Sequence, residues 1–180
     1  MYRTKQSDAA QLPLLLFFLF STAGWLWEVL FVGLTTGMAV NRGLLHGPWL
    51  PIYGVGGVLI LLLLQRFKGV LLFLLSALAG GFVEYTASVL LELLFHARWW
   101  DYSSWPWNLQ GRACIGSVLA FGAAGWCLVR VLAPALERLL SSLPERVRAV
   151  LCPVLCLLFA FDAGASFAVP NAGMGISFPV

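Results

Sequence analysis

The sequence predicts an all-α, polytopic transmembrane helix bundle of about five spans, with the N-terminus inside and the C-terminus outside. Three observations predict it. Of 180 residues, 61% are hydrophobic and only 11% charged, against about a quarter charged in soluble domains. The apolar residues fall in long runs separated by short polar or Gly/Pro-rich segments. The basic residues collect on alternate connections. A small soluble domain leaves too much surface exposed to hide this apolar content, so the chain reads as a single integral membrane domain over residues 1–180.

Residues 1–11 are polar and include Arg3 and Lys5. The run Leu12–Leu34 reaches roughly 34 Å as a helix, enough to cross a bilayer. A basic start and Ser21-Thr22-Ala23 imitate a secretory signal, but the apolar pattern continues past Ala23, which predicts an uncleaved first span. Thr35–Trp49 is a loop broken by Gly37, Gly43, Gly47 and Pro48. Leu50–Gln65 is a short second span. Pro51, Gly54, Gly56 and Gly57 at its start predict an unwound end, which lipid tolerates only under a cover of protein or water. Arg66 to Lys68 is a tight turn, and Gly69–Phe95 is the third span. Leu109–Val131 is the fourth, with Arg112 near its start. Leu132–Val147 sets leucines against Glu137, Arg138, Glu145 and Arg146, the pattern of a helix lying in the interface plane. Arg148–Val169 is an extra fifth span, with Pro153 and Asp162, and the tail Pro170–Val180 is uncharged. No internal repeat is visible, so the inverted-repeat signature of many transporters is missing.

Five spans put the termini on opposite sides. Arg3, Lys5, Arg66, Lys68, Arg130, Arg138, Arg146 and Arg148 fall on one side, and Arg42, Arg98 and Arg112 on the other. The positive-inside rule then places the N-terminus inside. The polar segments Asn41–Gly54 and Arg98–Arg112 both fall outside, as do the outer ends of the helices carrying Glu28, Glu84, Glu92 and Asp162.

A carboxylate in hydrocarbon costs roughly 2.5–3.5 kcal/mol on insertion scales. These acids should therefore face the bundle interior and find partners. Glu84, Ser88 and Glu92 recur at helical spacing and form one polar stripe. Five acids (Glu28, Glu84, Glu92, Asp101, Asp162) meet three arginines there. At least one carboxyl is therefore expected to carry a proton or pair with a ligand cation. Arg112 is the expected partner of Glu92, because both lie near the outer surface on antiparallel neighbours, which leaves Glu84 for a proton, a ligand or a group on the first span. The expected polar centre comprises Glu28, Asn41, Arg42, Tyr53, Glu84, Glu92, Asp101, Tyr102, Asn108 and Arg112. Trp99, Trp105 and Trp107 are expected in an interfacial aromatic belt.

Other chemistry is not indicated. There is no phosphate-binding loop of the Walker type and no extended basic run for nucleic acid. Cys114, Cys127, Cys152 and Cys156 lie in apolar runs with no CxxC pair, and they read as small buried hydrophobes. His46 and His96 stand alone, so no metal and no cofactor is expected.

The ordered set Gly24-Trp25-Leu26-Trp27-Glu28, Asn41-Arg42-Gly43, Gly47-Pro48, Pro51-Ile52-Tyr53-Gly54, Glu84-Tyr85, Glu92, Arg98-Trp99-Trp100-Asp101-Tyr102-Ser103, Asn108 and Gly111-Arg112 resembles the bacterial putative ABC-transporter type IV family, also called CmpB-like. The resemblance covers about residues 24–125. Leu44, His46 and Ala113 stand where the family has Phe, Tyr and Ile. The fifth span, about 148–169, lies outside these motifs.

The resemblance implies a permease-like transport component in the bacterial plasma membrane. Such a small chain would need a homo-oligomer or a partner membrane subunit beside its lipid bilayer. Two alternatives stand. One is a membrane-embedded enzyme acting on a lipid-linked or phosphate-bearing substrate, with Glu84 or Glu92 as acid or base and Arg42 and Arg112 holding phosphate. The other is a non-catalytic scaffold or assembly factor.

Overall fold

The computed structural model describes residues 6–171; Arg3, Lys5 and the tail beyond 171 lie outside them. The order is α1 Gln6–Thr36, α2 Pro51–Leu64, α3 Gly69–Phe95, β1 Asn108–Leu109, β2 Ala113–Cys114, α4 Ile115–Cys127, α5 Ala133–Ser142 and α6 Glu145–Ala168. A π-helical turn, Leu128–Leu132, joins α4 to α5. β1 and β2 pair antiparallel. α1, α3, the run Ile115–Ser142 and α6 are each long and apolar enough to cross a membrane, and α2 is a shorter apolar helix. The protein is a multi-pass membrane helix bundle.

The start of α2 is helical, not unwound as its glycines suggested. Pro51 occupies the first turn, where its missing N–H is no loss and its fixed φ suits the helix. The glycines serve close packing instead. A Cβ at Gly54 would run into Phe17 and Ser21 of α1, and one at Gly57 into Phe20. Small residues draw α3 and α4 together in the same way: Gly81 faces Val118, Gly80 faces Phe121, Gly122 faces Phe73 and Ala77, and Gly125 faces Ser76. Leu16, Ile60, Leu61, Leu72, Leu128, Val129 and Ala133 form the apolar core.

Two further expectations need correction. The fourth span begins at Ile115, because residues 108–114 form the hairpin. The amphipathic segment from Leu132 is not a separate helix. It continues α4 through the π turn and stops at Ser142, and α6 starts just after Pro144. The residue before a proline disfavours helix, so the break falls at Leu143. Leu136 and Leu140 pack against the core, while Leu132 and Leu139 of the same stripe stay exposed.

One end of the bundle gathers Leu12, Pro13, Gln65 and Glu137 around a common cleft. Arg130 donates there to the carbonyl of Phe67. This is the turn end. The opposite end, the site end, holds loop 37–50, segment 96–114 and the C-terminal part of α6.

Candidate functional site

α3 supplies the first carboxylates. Glu84 and Ser88 are buried on its face, and Glu92 lies two turns above Glu84. α3 ends at His96, whose left-handed backbone (φ 53°) donates its N–H to Glu92 O at 2.8 Å. That cap reverses the chain and returns Arg98 to Glu92, with Nε at 3.0 Å and Nη2 at 3.4 Å. Arg112 reaches the same carboxylate, Nη1 to Oε2 at 2.5 Å, and Ser88 Oγ at 3.4 Å. The expected Glu92–Arg112 pair is present, and Arg98 completes it as a triad.

Glu84 is 4% exposed. Tyr102 donates its hydroxyl to Oε1 at 3.0 Å, and Ser117 donates to Oε2 at 2.7 Å. No cation of the described residues lies within ion-pair distance of it. Ser117 also accepts the N–H of Cys114 at 3.1 Å in the N-terminal capping box of α4, so helix start and carboxylate share one anchor. Burial, then the charge of Glu84, pushes the Tyr102 phenol above its ordinary value of 10.0. Tyr102 therefore remains a neutral donor.

The α1–α2 pair brings a second carboxylate. Tyr53 donates to Glu28 at 2.7 Å, and Arg42 Nε lies 3.7 Å from Glu28 Oε2. Asn41 accepts from Trp25 Nε1 at 2.6 Å and donates to His46 O at 2.8 Å, which sets the loop carrying Arg42. Glu28, Tyr53, Glu84 and Tyr102 lie within electrostatic range of one another. Each of two helical hairpins thus brings to the site end one carboxylate that accepts a tyrosine hydroxyl.

Asp101 and Asn108 shape segment 96–114. Asp101 Oδ1 accepts the N–H of Ser103 at 2.8 Å and its hydroxyl at 2.5 Å, and these bonds hold its carboxyl below the ordinary 3.8. Asn108 donates to Trp105 O at 2.8 Å and accepts from Gly111 N at 2.9 Å. Gly111 has φ 70°, and a Cβ there would meet Asp101 and Ser103, so only glycine suits the turn. Trp99 is buried against Phe95 and is not a belt residue. Trp105 and Trp107 are exposed.

Sequence reasoning missed the clamp that α6 places on loop 37–50. Asp162 accepts from His46 N at 3.2 Å, Gly47 N at 3.0 Å, Trp49 Nε1 at 2.9 Å and Ser166 Oγ at 3.3 Å. Asn171 donates through Nδ2 to Gly43 O at 3.0 Å and through N to Leu44 O at 3.0 Å. The available signal was Asp162 and Ser166 one turn apart on an otherwise apolar helix.

The chain matches, over residues 15–167, the family model described as "Putative ABC-transporter type IV", and it belongs to that family. The match includes nearly all of α6, beyond the motifs at 24–125. Searches of curated proteins and of solved structures found no match to this chain.

Proposed function

Taking family membership as the premise, we propose that the chain is the permease-like membrane component of a bacterial plasma-membrane transport system, with the site end facing outward and Glu84 as its working carboxylate. One observation carries the assignment. Arg98 and Arg112 both converge on Glu92, while the more deeply buried Glu84 is held by two neutral hydroxyls. A buried acid without a fixed counter-ion is suited to take up and release a proton or a cationic group. Glu28, with Tyr53 and Arg42, is the second wall of this centre.

The same geometry disfavours the enzyme alternative. Of the two proposed phosphate holders, Arg112 is engaged by Glu92 and Arg42 lies 3.7 Å from Glu28, and Asp101 is bonded to Ser103. The outward orientation rests on charge: Arg66, Lys68, Arg130, Arg138, Arg146 and Arg148 surround the turn end, against Arg42, Arg98 and Arg112 at the other. On this reading the exposed α5–α6 corner is the inner surface open to a partner subunit.

The test is untargeted metabolite and lipid profiling of a deletion strain. Complementation with the wild-type chain should restore the profile, and equal amounts of folded Glu84→Gln should not. Full restoration by Glu84→Gln would remove Glu84 from the mechanism.

A further inference from the structure

We infer that segment 98–112 is a re-entrant element seated within the membrane leaflet at the site end, with Trp107 at its deepest point against lipid acyl chains. The register of α3 against α4 sets the depth. Gly81 faces Val118, and Glu84 bonds Ser117, so α4 begins at Ile115 at, or at most about 3 Å above, the level of Glu84. The Ile115 N–H donates to Trp107 O at 3.1 Å, which fixes the Trp107 backbone at that level. That level is roughly 22–25 Å above Gly69 along α3, inside a hydrocarbon layer of about 30 Å whose lower edge lies beside Arg66 and Lys68. α3 continues to Phe95, roughly 14–17 Å further.

Exposure at this level includes large apolar side chains, and the exposed amides beside them, Asn108 and Gln110, are hydrogen-bonded within the protein, Asn108 to Trp105 O and Gly111 N and Gln110 to the Tyr85 hydroxyl. Trp107 is 86% exposed, and within about a turn below its level α3 and α4 expose Phe82 at 70% and Leu119 at 47%; apolar surface at membrane depth fits acyl chains. The backbone goes part of the way to the other requirement of hydrocarbon, that its polar groups be satisfied internally. The β1–β2 pair, the Trp107–Ile115 bond, the Asn108 bond to Trp105 O and the Trp100 Nε1 bond to Arg112 O at 2.9 Å close the segment on itself. Trp107 has φ 54°, an uncommon conformation for a bulky residue, and it turns the chain from its descent back into β1. The inference is independent of the transport reading.

The test uses the full chain with its four cysteines replaced, Cys114 by Ser to keep the helix cap. Single nitroxide labels go at 104, 107 and 119, in vesicles of phosphatidylethanolamine and phosphatidylglycerol. Collision with oxygen and with a water-soluble nickel chelate is measured. The label at 107 should match that at 119, favouring oxygen several-fold, while the label at 104 favours nickel. A nickel-accessible label at 107 would overturn the inference, and so would one shielded from both reagents, which would indicate a protein partner. Brominated acyl chains give a check without labels: Trp107→Phe should remove a quenchable part of the tryptophan emission, and an unchanged quenching ratio would count against insertion.

Discussion

Asp162→Ala should release loop 37–50 while leaving the bundle folded. The carboxylate binds four donors, with the shorter pair, Gly47 N at 3.0 Å and Trp49 Nε1 at 2.9 Å, on Oδ2. A hydrogen bond to a charged group contributes about 1.5–3 kcal/mol, so loss of the Oδ2 pair alone costs about 3–6 kcal/mol. The Oδ1 side is buffered, because His46 N has a second acceptor in Ser166 Oγ at 3.2 Å. Asp162→Asn keeps one carbonyl oxygen for Gly47 and Trp49 and should lose only about half as much. Two measurements check this. Amide exchange at His46 and Gly47 should accelerate in Asp162→Ala while α1 and α2 stay protected. In detergent unfolding, Trp49→Phe should cost about 1.5–3 kcal/mol more in the wild type than in Asp162→Ala, where the acceptor is already gone and only the packing against Phe18 and Phe159 is lost. Equal costs in both backgrounds, or unchanged protection at 46 and 47, would refute the clamp.

Arg112→Ala should lower unfolding stability in detergent, less than a fully stranded charge would because Arg98 remains on Glu92; adding Glu92→Gln should recover part of the loss, and additive effects would contradict the triad. A cysteine at Ser104 should react with an impermeant thiol reagent in intact cells and one at Ser141 only after permeabilisation; the reverse pattern would put the site end in the cytoplasm.

Period and polarity made the helices legible. α3 was readable to its ends because Gly69 and Phe95 border a predominantly apolar run, with Arg66 and Lys68 before it and His96 and Arg98 after it. The Glu92–Arg112 pair was readable because helix rise places both residues near one surface. Three features were not readable, each for a tertiary reason. The glycines of α2 resemble a break until α1 is packed on them. The leucine stripe of α5 resembles an interfacial helix until Leu136 and Leu140 meet the core. Arg98 could have paired with any acid nearby, and only the left-handed cap at His96 aims it at Glu92. Asn171 carries no signal of its own, since its partners are backbone groups more than a hundred residues away.

A shortage of helix in one leaflet explains why the polar groups meet where they do. α2 has 14 residues, roughly 21 Å, about two-thirds of the hydrocarbon thickness. α4 begins only at the level of Glu84. Above those two points the leaflet must be filled by something other than these helices. Loop 37–50 fills it over α2 and is held by Asp162. Segment 96–114 fills it over α4 and is held by the arginines on Glu92. The floor of this filled volume carries Glu28 and Glu84 with their tyrosines. Irregular backbone at membrane depth is tolerated where protein covers it or where it lines a polar cavity, and two such segments side by side bring many polar groups to one place. Lengthening α2 by three to four helical residues at its site end would drive loop 37–50 off that floor and separate Tyr53 from Glu28. The short second helix is therefore a condition of the polar centre.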